Sequence, residues 1–178
     1  MTQGAVTPHA QTPYPDGLEE HACIDQAVLN LMLDLERQRP WSEDEIARTI
    51  SVPGDVRGSL RRLRASKLIH RWNDLAVASH PAVRFFEITQ PVANLSPGDY
   101  EERHWDQAVL EGLLARSAAG EGPRTEQQTY EAFGATKRKK RIKVADALDR
   151  LDGAGLIERR GGRSIASELA RRLDELSI

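Results

Sequence analysis

The side chains of this chain that could do chemistry are mostly cations in three clusters. Arg57, Arg61, Arg62, Arg64 and Arg71 fall within fifteen residues. Lys137, Arg138, Lys139, Lys140, Arg141 and Lys143 fill all but one position of a seven-residue run. Arg159, Arg160 and Arg163 follow near the C-terminus. A guanidinium presents a planar fork of donors that matches phosphate, carboxylate or the edge of guanine, and an ammonium is a compact point charge for anions. The chemistry on offer is therefore anion binding rather than bond making. Enzyme motifs are missing: there is no Gly-rich phosphate loop, no HExxH and no GxSxG. The expectation is a protein that is not an enzyme and takes no cofactor. His21, Cys23, His70, His80 and His104 are scattered. His21 and Cys23, two apart on a helix, do not share a face, so no metal site is expected. The competing bland reading is that an arginine-rich helix is only a solvated face and a lysine run only a basic loop.

Charge distribution says more than the net charge of −2 over 178 residues. Residues 1–52 sum to −6, 53–71 to +5, 87–131 to −6 and 137–163 to +6. Such alternation carries information about partners that the total hides. A hydrophobic content of 39% is ordinary for a globular chain, and no apolar run approaches the ~18 residues of a membrane span. The start of the chain lacks a basic stretch followed by an apolar core, so no secretory signal is expected. The single cysteine suits a reducing cytoplasm.

The elements that must position these cations occur twice. Val56–Ile88 lies over Val144–Leu176 without a gap, 88 positions on, with 12 of 33 residues identical. Val56, Leu60, Arg62, Leu63, Leu68, Ile69 and Arg71 recur as Val144, Leu148, Arg150, Leu151, Leu156, Ile157 and Arg159. Asp25-Gln26-Ala27-Val28-Leu29 returns as Asp106 to Leu110 at an offset of 81. A repeat of this length implies two small domains from one internal duplication. Residues 1–20, rich in Pro and Gly, read as a disordered arm; 21–89 as the first domain; 90–103, with Pro91, Pro97 and Gly98, as a linker; 104–178 as the second domain.

Within the first domain, Ile24, Val28, Leu31, Met32 and Leu35 share one helix face over 21–37. Ser42 and Glu45 form a capping box, with Trp41 stapling onto Ile46, so a short helix is expected at 43–50. Pro53 suits the first turn of a third helix running to about Ser66, with Val56, Leu60 and Leu63 inward. Leu68–Trp72 and Leu75–Ala78 form a hairpin around Asn73-Asp74, with Trp72 expected in the core, and Ser79 caps a final helix. The second domain repeats this order: a helix at about 104–117, a capping box at Thr125–Gln128, a third helix with Val144, Leu148 and Leu151, and a hairpin turning at Gly161-Gly162. The Gly pair supplies the positive φ of a type I′ turn. The fold class is mainly α with small β-hairpins, an α+β chain.

Helix, capped short helix, helix and hairpin, carrying Val-x3-Leu-x2-Leu-x4-Leu-Ile-x-Arg at Val56–Arg71 and at Val144–Arg159, resembles the winged helix-turn-helix family. The resemblance spans nearly the whole chain beyond residue 20. It implies a third helix in the DNA major groove and a hairpin wing on phosphate or the minor groove. Small tandem members of that family include bacterial transcriptional regulators and partners of chromosome-condensing complexes.

Opposite Val56, Leu60 and Leu63 on a helical wheel lie Gly54, Gly58, Arg61, Arg62 and Ala65, with Arg57 and Arg64 on the flank. That face, small residues framed by arginines, is expected to approach base edges. In the second copy Asp146 and Asp149 take the places of Gly58 and Arg61, and the positive charge moves to Lys137–Lys143 and to Arg159, Arg160 and Arg163. Sequence choice is therefore expected from the first copy and a grip on the DNA backbone from the second. The partner expected is double-stranded DNA in the cytoplasm, in the nucleoid, with no membrane involved and a homodimer of the two-copy chain left open. The alternative is a non-enzymatic interaction or chromosome-organisation module without base readout, its acidic first helices meeting a basic protein. Pockets in domains this small are expected to fall short of the ~300 Å³ of a ligand site.

Overall fold

The computed structural model describes residues 16–34, 39–90 and 96–177, with side chains from His21 onward. Its order is α1 (Asp16–Leu33), β1 (Trp41–Ser42), α2 (Glu43–Thr49), α3 (Val56–Ala65), β2 (Ile69–Trp72), β3 (Leu75–Ala78), α4 (His80–Thr89), α5 (Pro97–Ala118), β4 (Arg124–Thr125), α6 (Glu126–Ala132), α7 (Arg138–Gly153), β5 (Ile157–Arg160), β6 (Arg163–Ala166) and α8 (Glu168–Glu175). The chain is mainly helical with two small antiparallel three-stranded sheets, an α+β arrangement.

Local sequence explains most boundaries. Ser42 accepts from the Glu45 amide while the Glu45 carboxylate accepts from Ser42 N–H, and Thr125 with Gln128 repeats the arrangement. Each satisfies amides that a helix start leaves without partners. The backbone bond from Ser42, ahead of the bond from its hydroxyl, holds the Glu45 carboxyl below its usual range. The hairpin turn of the second half has Gly161 and Gly162 at φ 57° and 71°, the left-handed pair that a tight hairpin needs. Asn73 stands at φ 52° in the first.

Several boundaries differ from expectation. The arm expected over 1–20 gives way to helix at Asp16, and its residues 1–15 lie outside the described ones, as do Leu35 and residues 91–95. Within the linker expected over 90–103, residues 97–103 are helix, because Ser96 caps α5 and Pro97 occupies a first-turn position where its missing N–H costs nothing. The third helix of the first half starts at Val56, later than Pro53, since Asp55 is the cap and accepts from Gly58 N–H. Each hairpin also gains a third strand. Trp41 and Ser42 pair with Ala76 and Leu75, and Arg124 and Thr125 with Ser164 and Arg163. Two-residue strands ahead of a helix cap carry no alternation to read.

Buried apolar residues run through both halves: Val28, Leu29, Leu60, Leu63, Leu68, Ile69 and Phe85 in the first, Val109, Leu110, Leu148, Leu151, Leu156, Ile157 and Leu173 in the second. Val56 and Val144 are both buried. In each half the first helix packs on the third, α1 on α3 and α5 on α7. The halves meet through α4, which touches α8 and α5. Trp72, expected in the core, is 49% exposed because it sits at the outer end of β2 beside the turn.

Candidate nucleic-acid interface

The cations predicted from sequence divide into three groups. Arg62 does not point outward. It lies against Asp25 of α1, which is 1% exposed, with Nη2 2.7 Å from Oδ1 and Nε 3.0 Å from Oδ2. The hydrogen bonds to Asp25 raise its pKa further, against the pull of burial. Arg62 is half-buried, and Gly58 is buried: a Cβ there would stand 2.3 Å from Asp55 Oδ2 and 3.2 Å from Arg62 Nη1. The expected base-reading face is therefore partly closed. The Asp55 cap folds over Gly58, and Arg62 turns back toward α1, where a buried carboxylate outcompetes water for its donors.

A second group is exposed or half-exposed and already paired. Arg57 and Arg71 share the Glu43 carboxylate, at 3.1 and 3.0 Å. Arg159 is held by Asp149 and stands 3.8 Å from Glu126. Lys143 meets Glu101 at 3.0 Å, and Arg160, 87% exposed, meets Glu158 at 3.2 Å. Pairs of this kind are weak where solvent reaches them, so a phosphate can displace the carboxylate.

The third group is open. Arg61 is 70% exposed, with only a 4.0 Å approach to Asp55. Arg64, Lys137, Arg138, Lys139, Lys140, Arg141 and Arg163 are exposed, and none has a carboxylate partner among the described residues. Lys140 Nζ lies 5.6 Å from the Trp105 ring centroid. Arg141 donates to the Ala135 carbonyl at 3.0 Å and stands over the Tyr130 ring.

The open cations concentrate where α7 exceeds α3. Counted back from Val144 and Val56, α7 starts six residues earlier, at Arg138, so most of the basic run forms its first turn and a half. Helix termini carry partial charge, positive at the N-terminus, and each cation placed there costs about 0.3–1 kcal/mol. Lys137 as cap makes no side-chain hydrogen bond, and no acid lies in the first turn to compensate. The cluster thus works against helix stability, and an outside polyanion would relieve it.

Sequence reading missed the buried carboxylates. Asp106 is 0% exposed and takes Arg150 of α7 on both oxygens, with Nη2 at 2.7 Å, and Arg84 of α4 at 2.9 Å. Burial, the largest single influence, pulls the Arg150 pKa down, but the bonds to Asp106 together with the charges of Asp106, Glu102 and Asp146 outweigh it and the net shift is upward. The signal was present: Asp25 recurs as Asp106 and Arg62 as Arg150, charged identities of opposite sign in the two repeated motifs. Among the described residues no group of three potential metal ligands is found, and no helix is long and apolar enough to cross a membrane. No family model matches the chain, and comparison with curated proteins and with solved structures finds no significant match.

Proposed function

We propose that the chain binds double-stranded DNA through two winged-helix modules derived by internal duplication, acting in the nucleoid as a covalent pseudo-dimer that regulates transcription. Support for the duplication comes from pairing that recurs at an offset of 88: Ile69 with Ala78 becomes Ile157 with Ala166, and Arg71 with Ala76 becomes Arg159 with Ser164. The buried Asp25–Arg62 pair and its counterpart Asp106–Arg150 agree with it.

The observation that carries the DNA reading is the uncompensated cation cluster at the start of α7. Five consecutive cations, Lys137 to Arg141, stay exposed at the helix end whose dipole disfavours them. A phosphate backbone supplies the missing negative charge and releases counterions as it does so. Arg160 and Arg163 on the second hairpin extend the basic surface. In the first half, Arg61 and Arg64 remain to contact bases from α3, with Arg57 beside them once Glu43 is displaced. Linking two modest contacts in one chain makes the second intramolecular, which raises the combined affinity.

Fluorescence anisotropy with random-sequence duplex at low salt tests this reading, and absence of binding there would remove it. The withdrawal of Arg62 and Gly58 from the exposed face of α3 favours a second reading, a chromosome-organisation module that grips any duplex. Selection of bound sequences from a random pool separates the two. An enriched motif bound about 10³-fold more tightly than bulk duplex fits a regulator, and tight binding without enrichment fits the architectural role.

A further inference from the structure

A cavity of about 250 Å³ opens between the N-terminal halves of α5 and α7, lined by Glu101, Trp105, Lys137, Lys139, Lys140 and Lys143. It is smaller than a typical enclosed ligand site but has room for one flat ring with its substituents outside. Trp105 is half-buried and offers an aromatic wall, braced by the edge-on His104 ring at 6.0 Å. The lysine stems supply carbon surface while their ammonium groups stay in water. Lys140 Nζ already stands 5.6 Å from the Trp105 ring centroid, so a cation and an aromatic face converge on the same space. Four ammonium groups against the one Glu101 carboxylate leave the cavity at +3.

An aromatic wall beside several free cations is matched by one ligand chemistry, a planar heteroaromatic ring carrying phosphate. The geometry points to a binding site for a nucleoside phosphate, its base stacked on Trp105 and its phosphates held by Lys137, Lys139 and Lys140. Base stacking on an aromatic side chain and charge-assisted bonds to the phosphates reinforce each other. Lys143 already has Glu101 as partner and serves as wall. The nucleotide is either free or the unstacked terminal residue of a nucleic-acid strand. Neither form requires duplex binding by the rest of the surface.

Calorimetric titration of the full chain with ADP, adenosine, pyrophosphate and a 5′-phosphorylated tetradeoxyadenylate tests the assignment. ADP should bind, with adenosine and pyrophosphate each at least about tenfold weaker because each has half of the recognised chemistry. Trp105→Ala should weaken ADP by about tenfold or more while leaving pyrophosphate unchanged. Because Trp105 packs against the core, the exposed pair Lys139→Ala and Lys140→Ala provides a second variant, expected to weaken ADP and pyrophosphate alike. ADP binding tighter than the oligonucleotide assigns the free nucleotide, and the reverse order assigns a strand end. No ADP binding, ADP no tighter than pyrophosphate, or ADP binding indifferent to both variants would overturn the site.

Discussion

Arg84, on the last helix of the first half, donates to the buried carboxylate of Asp106, on the first helix of the second half, at 2.9 Å. Arg150 takes the same carboxylate from the opposite element, α7. Asp106 thus has two guanidinium partners, whereas Asp25 has Arg62 alone among the described residues. The asymmetry sets an order of stabilities. Arg62→Ala leaves a buried carboxylate with no partner and should cost about 3 kcal/mol or more. Arg84→Ala leaves Asp106 still held on both oxygens by Arg150 and should cost about 1 kcal/mol. Urea unfolding midpoints rank the variants, and an Arg84→Ala protein less stable than Arg62→Ala would contradict the assignment.

The same placement separates two neighbouring arginines in function. Arg61 is open and Arg62 is engaged with Asp25, so their substitutions should fail in different ways. Arg61→Ala is expected to keep wild-type stability and lose about 1–3 kcal/mol of discrimination at one base pair, if α3 reads bases. Arg62→Ala is expected to lower the unfolding midpoint first and affect DNA binding only through that loss. Binding to a selected duplex, measured beside a melting curve for each variant, decides the point.

How far the sequence could be read depended on which force set each feature. Helix faces such as Val56, Leu60 and Leu63, the two capping boxes and the Gly161-Gly162 turn follow local rules, and all are in place. Arg62 was misplaced because a helical wheel records angle and not reach: a long side chain on the rim of the buried face can fold back to a carboxylate 37 residues away in sequence. Trp72 was misplaced for the converse reason, since large apolar residues at a strand end need a neighbour to be covered. The start of α5 was missed because Pro97 and Gly98 read as linker until Ser96 is recognised as their cap. The Trp105 cavity joins residues roughly thirty to forty apart whose adjacency no local pattern encodes.

Gly58 was expected to give room for DNA, and the structure gives it another task. Asp55 Oδ1 accepts its N–H at 2.9 Å, and a Cβ would press on the other oxygen of that carboxylate. Gly58→Ala should therefore displace the cap of α3 and cancel the helix-propensity gain that alanine normally brings. The expected result is no stabilisation, or a loss of about 1 kcal/mol, in urea unfolding. A clear stabilisation would show that the Asp55 side chain yields freely.

Tyr130 gives a pH signature. Burial, then the hydrogen bond it donates to Glu126, pushes its phenol up to about 12. A folded-state pKa raised above the unfolded value of about 10 contributes stability that is complete below pH 10 and disappears as pH rises through 12. One of the three tyrosines should therefore ionise late in a phenolate absorbance titration of the folded chain. That late phase should vanish in Tyr130→Phe, and the alkaline loss of stability should become shallower. A late phase that persists in Tyr130→Phe, or no late phase in the wild type, would contradict the placement of Tyr130 beside Glu126.

The cluster at the start of α7 makes the sharpest demand on the DNA reading. Lys139, Lys140 and Arg141 are exposed, and their charges oppose the helix dipole. Replacing all three with alanine removes that opposition and adds good helix formers, which offsets the lost Arg141 bond to the Ala135 carbonyl, so the variant should melt near the wild-type temperature. Its duplex affinity should nevertheless fall for every sequence by the same factor. The slope of log affinity against log salt should also become shallower by about 0.9 for each phosphate that is no longer neutralised. Undiminished stability combined with weaker, less salt-sensitive binding is the pattern of a surface kept for a polyanion and not for the fold. An unchanged slope would mean that these cations are a solvated face, and duplex binding would have to be sought on Arg61, Arg64 and Arg163 instead.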